Sequence, residues 1–109
     1  MLPKIHRLTK KKDFDVVFKG GKSVRGAFLM VKILKSNLGE SRFGFVVSKK
    51  VSPKATVRNK VKRRLREAVA CEIKNMKGAR DVIIVALPGV QKQEFSVIRE
   101  MVKNILSKI

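Results

Sequence analysis

The sequence predicts a small α+β fold, a two-layer sandwich with elements in the order α-β-β-α-β-α or the same order with one extra short strand. Segments with apolar residues at every third or fourth position alternate with short runs of β-branched and aromatic residues, which indicates helices and strands in one chain. The chain has 109 residues, of which 44% are hydrophobic. That is enough for one domain over residues 1–109 with a single modest core.

The first helix is predicted over residues 10–19, capped by Thr9 and ended by a Gly-Gly pair. On this helix Phe14, Val17 and Phe18 share one face. Two interpretations of the phenylalanines are open, namely core packing and a partly exposed platform on which unpaired bases stack. The chain has six Phe, no Tyr and no Trp, so any stacking surface must be made of Phe.

Three apolar runs bounded by turn residues predict strands. Residues 26–34 and 42–48 are expected to pair as a hairpin across a turn that contains Ser, Asn and Gly. Gly44 inside the second run indicates a bulge or a close backbone approach. Residues 81–87 are almost continuously apolar, so this strand is predicted to be central in the sheet and buried on both faces. A final helix is predicted over residues 93–107.

The strongest functional signal is a long helix predicted over residues 56–76. Its apolar positions recur at helical spacing and form one face, which predicts that this face docks on the core. Residues 48–66 carry nine basic residues and no acidic one, so the opposite face is cationic. Arg58 falls inside the apolar arc, and it must therefore leave the core at the start of the helix or be paired there. The nine are Lys49, Lys50, Lys54, Arg58, Lys60, Lys62, Arg63, Arg64 and Arg66.

The net charge of +19 predicts a polyanionic partner, either nucleic acid or an anionic membrane surface. A membrane is disfavoured because the apolar face of the long helix is needed for the core, and no apolar run approaches the roughly 20 residues that span a bilayer. The N-terminal segment has no apolar core like that of a signal peptide, so a cytoplasmic location is expected. Cys71 is the single cysteine, which excludes an internal disulfide, and we expect it to be buried.

The eight carboxylates match neither a metal site nor a nucleophile–base pair, so no catalytic residue and no protein-bound metal is predicted. His6 is the single histidine, for which a solvated or backbone-bonded role is expected. Phosphate contacts carry no sequence information, and selectivity must come from RNA shape, stacking or directional groups such as Asn59. A structural RNA-binding protein of ribosomal type stays an alternative, and so does a helix-turn-helix DNA binder, which the apolar strands disfavour.

Taken in order, these segments resemble the protein component of bacterial ribonuclease P. The resemblance rests on Lys49 and Lys50, on residues 57–66, which are similar to the arginine-asparagine-arginine helix of that family, on the opening pattern of residues 8–24, and on the strand at 81–86. It implies a fold like that of ribosomal protein S5 domain 2, in which strand, helix and strand join through a left-handed crossover. The general handedness rule predicts the opposite hand, so this feature comes from the resemblance alone.

The resemblance also implies a division of labour between RNA and protein. The RNA subunit holds the catalytic Mg²⁺ and removes the 5′ leader of precursor tRNA, while the protein binds that RNA and the leader, with no membrane and no DNA partner. The residues implied to bind RNA are Lys49, Lys50, Arg58, Asn59, Lys60, Lys62, Arg63 and Arg66. Those implied to line the leader cleft are Phe14, Phe18 and Val31.

Two residues depart from the pattern of the family. Lys60 stands where arginine is usual, which keeps the charge but loses a bidentate fork. Val31 or a neighbour stands where the family has a cleft tyrosine, which removes base stacking at that point.

Overall fold

Four strands and three helices form the computed structural model, which describes residues 6–36, 39–75 and 78–108. The predicted order is confirmed, including the extra short strand, here β1. Two 3₁₀ turns, Ile73–Asn75 and Val90–Lys92, follow α2 and β4. The elements are α1 (Lys11–Gly20), β1 (Lys22–Arg25), β2 (Leu29–Lys35), β3 (Arg42–Val46), α2 (Ala55–Glu72), β4 (Arg80–Ala86) and α3 (Phe95–Ser107).

The strands form one sheet in the order β1-β2-β4-β3. β4 is antiparallel to β2 and parallel to β3, and α2 makes the connection between the two parallel strands. The prediction that β4 is central and buried is confirmed. The predicted hairpin between β2 and β3 is wrong, because β4 lies between them. An apolar strand with no polar face gains most from a neighbour on each side, and a β2–β3 hairpin would leave it at an edge.

The strand predicted over residues 26–34 is divided into β1 and β2. The two strands pair antiparallel, with Lys22 opposite Ile33 and Arg25 opposite Met30. Residues 26–28 form the turn between them, and the Gly26 N–H donates to the Leu29 carbonyl at 2.7 Å. Glycine at the start of this turn tightens the chain reversal, which continuous β-propensity in the sequence does not reveal.

One face of the sheet is covered by α2 and α3. The helices bury side chains at three- and four-residue spacing, and these pack on the inward residues of all four strands. Leu65 and Ile98 are fully buried at the centre of this layer. The buried helical residues are Val61, Leu65, Ala68, Val69, Ile98, Val102, Ile105 and Leu106.

The other face is covered in part by α1 and the segment before it. Leu8, Val17 and Ile83 are buried there, and Phe14 and Leu34 are partly buried beside them. α1 therefore adds a partial third layer to the predicted two-layer arrangement. The reason is that β4 is apolar on both sides, so its second face also requires cover.

Several local details differ from the predictions. Lys10 rather than Thr9 precedes α1, and its carbonyl accepts the Asp13 and Phe14 N–H groups at 3.0 and 3.1 Å. Cys71 is exposed, because it lies about 200° around α2 from the buried Val69. The predicted C-terminal end of the long helix at residue 76 and part of the predicted turn at 36–40 lie outside the described residues.

Candidate nucleic-acid interface

α2 presents a cationic surface on the side that faces away from the core. The side chains on this side of the helix are exposed or half-buried, whereas the side that packs on the core is buried. The exposed residues are Asn59, Lys60, Arg63 and Arg66, and the half-buried one is Lys62. We call these five residues the α2 basic face. Lys49 and Lys50 are exposed in the turn between β3 and α2. The prediction of a helix with one docked face and one cationic face is confirmed.

Arg58 is paired at the start of α2, as its position in the apolar arc requires. Its Nη1 donates to the backbone carbonyls of Ser52 and Pro53 at 3.0 and 2.9 Å. The side chain thus folds back over the loop that leads into the helix. Arg58 therefore stabilises the approach to α2, in addition to the RNA contact that the resemblance implies.

A pocket of about 210 Å³ lies at the outer edge of β3. Phe14 forms part of its wall from α1, and Arg66 of the α2 basic face reaches it from the other side of the sheet. The pocket thus brings together two residues that are far apart in the sequence. We call it the Phe14 pocket; it is lined by Arg7, Leu8, Thr9, Phe14, Phe43, Phe45 and Arg66.

Phe14 rests on the backbone of β3 at Gly44. A Cβ built on Gly44 would lie 2.8 Å from Cε1 of Phe14 and closer still to Cζ. No residue with a side chain fits at this position without displacing the ring. The prediction of a close approach at Gly44 is confirmed.

Phe18 follows Phe14 by one helical turn, but its surroundings differ. It is 40% exposed, and the neighbouring Val16 is 52% exposed, whereas Val17 is completely buried. α1 therefore docks through Val17 and leaves the Phe18 ring accessible. Of the two interpretations of the phenylalanines, partial packing fits Phe14 and an accessible platform fits Phe18.

Val31 does not line a cleft beside α1, and this assignment is corrected. Its side chain is 1% exposed and belongs to the core under α2 and α3. Side chains alternate along a strand, so Met30 and Lys32 point to the α1 side. Lys32 stands opposite Ile83, which in turn stands opposite Gly44 beneath Phe14. Lys32 is thus the β2 residue in the row that crosses the sheet under α1.

An ion-pair network that the sequence did not reveal joins α1 to the sheet. Arg42 donates to both carboxylate oxygens of Asp81 at 3.0 and 2.8 Å, and to Asp13 at 3.3 Å. The hydrogen bond to Asp81 raises the pKa of Arg42 and outweighs the opposing effect of burial. The sign of this network in the sequence is the acidic residue at the start of the apolar run that predicts β4. The network holds the first turn of α1, and hence Phe14, against β3.

His6 is backbone-bonded, as predicted. Its Nδ1 lies 2.7 Å from the Ser41 carbonyl oxygen, and its Nε2 lies 3.9 Å from the Glu40 carboxylate. Among residues 6–36, 39–75 and 78–108, no three His, Cys, Asp or Glu side chains are grouped to hold a metal ion. None of the described helices is long and apolar enough to cross a membrane. The arrangement is suited to binding an anionic chain beside an exposed aromatic ring.

The chain is similar to proteins of one family over nearly its whole length. The family model described as Ribonuclease P matches residues 2–109. The ribonuclease P protein component of Pseudanabaena sp. is 37% identical over 109 residues, which cover 99% of this chain and 94% of that protein. The RNase P protein from Thermotoga maritima, solved with 1-(4-fluorophenyl)-2-thiourea, superposes with a TM-score of 0.87 at 33% identity, covering 94% of this chain and 99% of that one. The Staphylococcus aureus RNase P protein has a TM-score of 0.85 at 29% identity, with 94% of each chain covered.

Proposed function

The chain belongs to the ribonuclease P protein family, and from this premise we propose how its surfaces serve the maturation of tRNA. As a member of the family it is the protein subunit of an endoribonuclease, a ribonucleoprotein that processes precursor tRNA. RNA binding follows from the family, and the α2 basic face is the part of the described surface that fits it.

The α2 basic face binds the catalytic RNA subunit. Its four cations lie within residues 60–66 of the 18-residue helix, a rise of about 9 Å that brings them within reach of neighbouring phosphates. Lys49 and Lys50 extend the same surface at the loop before α2. Each neutralised phosphate releases counterions, so binding through six to eight contacts weakens by about 10³-fold or more between 50 and 200 mM salt.

The surface beside α1 binds the 5′ leader of the precursor. Phe18 offers an exposed ring on which a base can stack, a contact worth about 1–3 kcal/mol for each base. Phe14 and Arg66 meet in the Phe14 pocket, so that an aromatic wall and a phosphate-binding cation are adjacent. On the sheet surface under α1, Lys32 provides a positive charge where an aromatic residue would provide a stacking contact. Leader binding at this surface therefore depends more on phosphates and less on base identity.

The chemistry belongs to the RNA subunit and the Mg²⁺ that it holds. The polypeptide contributes no catalytic group, and its converging carboxylates, Asp13 and Asp81, are both committed to Arg42. What this chain does is bind, orient and neutralise charge. A cytoplasmic location, which the sequence predicted, is part of this proposal, because precursor tRNA is the substrate.

The observation that carries the assignment is the meeting of Phe14 and Arg66 in one pocket. This pocket joins the leader surface to the RNA-binding helix. A protein that only packs RNA helices has no need for an aromatic pocket continuous with its basic helix. The structure therefore favours a subunit that holds two RNA segments together over the ribosomal-type alternative.

Reconstitution with the cognate catalytic RNA tests the proposal, with precursor tRNA carrying or lacking its 5′ leader as substrate. We expect the wild-type protein to raise the affinity for the leader-bearing substrate and to leave that for the leaderless one little changed. Equal improvement of both substrates would contradict leader binding. Processing at low Mg²⁺ should fall about tenfold in Asn59→Ala and in Arg63→Ala, because each removes one directional or charged contact of the α2 basic face.

Arg58→Ala belongs in the same series but requires a folding control, since Arg58 also bonds the Ser52 and Pro53 carbonyls. Lys103→Ala, an exposed cation on α3, is the matched control for loss of charge. An effect of Lys103→Ala as large as that of Arg63→Ala would show that net charge, and not the α2 basic face, determines activity.

A further inference from the structure

A second cationic pocket lies at the opposite edge of the sheet from the Phe14 pocket. It is open, has a volume of about 500 Å³, and is formed where β1 begins, β2 ends and α3 ends. Its apolar floor carries four cations at the rim, and none of its lining residues is acidic. We call it the basic pocket; it is lined by Gly20, Lys22, Val24, Ile33, Leu34, Lys35, Arg80 and Lys108.

The strand register forces three of these cations together. Lys35 stands directly opposite Arg80, a position at which Cβ atoms are about 5 Å apart. Lys22 stands opposite Ile33, two residues before Lys35, and is therefore a diagonal neighbour at about 7–8 Å. Like charges that face each other across strands are destabilising. This sheet edge thus carries a cost that the fold by itself does not explain.

No group among the described residues relieves this repulsion. In the part of the chain that the structure describes, the side chains of Lys22, Lys35, Arg80 and Lys108 make no hydrogen bond or ion pair. Lys108 follows the last turn of α3, where the helix carbonyls favour a cation, and this accounts for that residue alone. Lys35 and Arg80 project from strands, and a bound anion is what would compensate their charges.

The basic pocket reaches the end of α1, where Gly20 and Leu34 line it, but its cations project to the opposite side of the sheet from the Phe14 ring. Alternation along β2 and β4 places Lys35 and Arg80 on the same side as Ile33 and Val82, under α2 and α3. Lys32 and the Phe14 ring lie on the other side. A strand that follows α1 across the Phe14 ring does not meet these cations, and we assign them to a different RNA segment.

We propose that the basic pocket is a second anchoring site for the phosphodiester backbone of the RNA subunit, distinct from the α2 basic face. The proposal rests on the proposed function in that RNA is the partner. The side of the sheet under α2 and α3 then binds the RNA subunit at two places, on α2 and at the C-terminal end of α3. The α1 side is left to the leader.

The test compares two triple variants that lose the same charge. Lys22→Gln, Lys35→Gln and Arg80→Gln together remove the three strand cations of the basic pocket and leave Lys108. Lys74→Gln, Lys92→Gln and Lys103→Gln together remove exposed cations elsewhere. The affinity of each protein for the isolated RNA subunit is measured between 50 and 200 mM salt. We expect the slope of log affinity against log salt to become shallower by about 2–3 in the first variant only.

An unchanged slope in the first variant, or an equal change in both, would overturn the proposal. The ratio of affinities for precursor with and without its leader should be unaffected, and a selective loss of that ratio would assign the pocket to the leader instead. Failure of the wild-type protein to bind the RNA subunit would contradict the proposed function itself, which is a separate result.

Folding is controlled by thermal unfolding at low salt. Because the pocket variant removes a facing pair of like charges, its Tm should equal or exceed that of the wild type. If the triple variant is less stable, Lys35→Gln alone serves the same purpose, with an expected change in slope of about 1. A slope equal to that of the wild type in this single variant would also count against the proposal.

Discussion

The two faces of the sheet are covered to different degrees, and the difference separates stability from binding. On the face under α2 and α3, helices seal a continuous core in which Leu65 and Ile98 are fully buried. On the other face a single ten-residue helix covers a small cluster and leaves Phe18 exposed. One helix is too narrow to cover four strands, since neighbouring strands lie about 4.8 Å apart. The incompletely covered face is where an aromatic and cationic surface is available to a ligand.

The largest effect is expected from a substitution in the core under α2 and α3. Leu65→Ala should lower the free energy of unfolding by about 2–5 kcal/mol, because the leucine is completely buried between α2, α3 and the sheet. Leu8→Ala is the matched change on the other face, where the cluster is small and can collapse around the cavity. We expect it to fall at the lower end of that range. Equal losses in urea denaturation would show that the two faces contribute alike.

A smaller effect is expected where α1 touches the sheet. Gly44→Ala places a methyl group inside the Phe14 ring, and we expect a loss of about 1–3 kcal/mol in the free energy of unfolding. Adding Phe14→Leu should recover part of that loss, because the shorter side chain makes room for the methyl group. The double variant should still bind leader-bearing precursor weakly, since the ring is gone. If the losses of the Gly44→Ala and Phe14→Leu single variants simply add in the double variant, the two residues do not interact.

The smallest effect on stability is expected on the exposed part of α1. Phe18→Ala should lower the free energy of unfolding by only about 1 kcal/mol, because the residue is 40% exposed. Its affinity for leader-bearing precursor should fall by about 1–3 kcal/mol, the value of one stacked base. Val16→Ala, which is 52% exposed and carries no ring, is the control. A loss of stability without a loss of leader affinity would place Phe18 in the core.

Local patterns were sufficient where a residue interacts with its own helix. The spacing of Val61, Leu65 and Ala68 predicted the docked face of α2. The position of Arg58 on that face predicted that it would leave the core at the start of the helix or be paired there, and it is paired. The apolar run of β4 likewise predicted its central position. These features depend on the periodicity of a helix or strand, which a sequence displays directly.

Such patterns did not predict which strands pair or on which face of the sheet a strand residue lies. The β2–β3 hairpin was predicted from adjacency in the sequence, but β4 competes for both edges and displaces it. Val31 was assigned to the α1 side, whereas the strand register turns it inward and Lys32 outward. A shift of one residue along a strand exchanges its two faces, so small errors of alignment reverse the interpretation.

By itself the sequence determined the fold class, the cationic helix, the need for a polyanionic partner and the resemblance to one family. The tertiary structure decided which residues meet. It placed Phe14 and Arg66 in the lining of one pocket, paired Arg42 with both Asp13 and Asp81, and aligned Lys35 with Arg80. Periodicity and charge are properties of short segments, while contacts between distant segments depend on which strands pair and in which register.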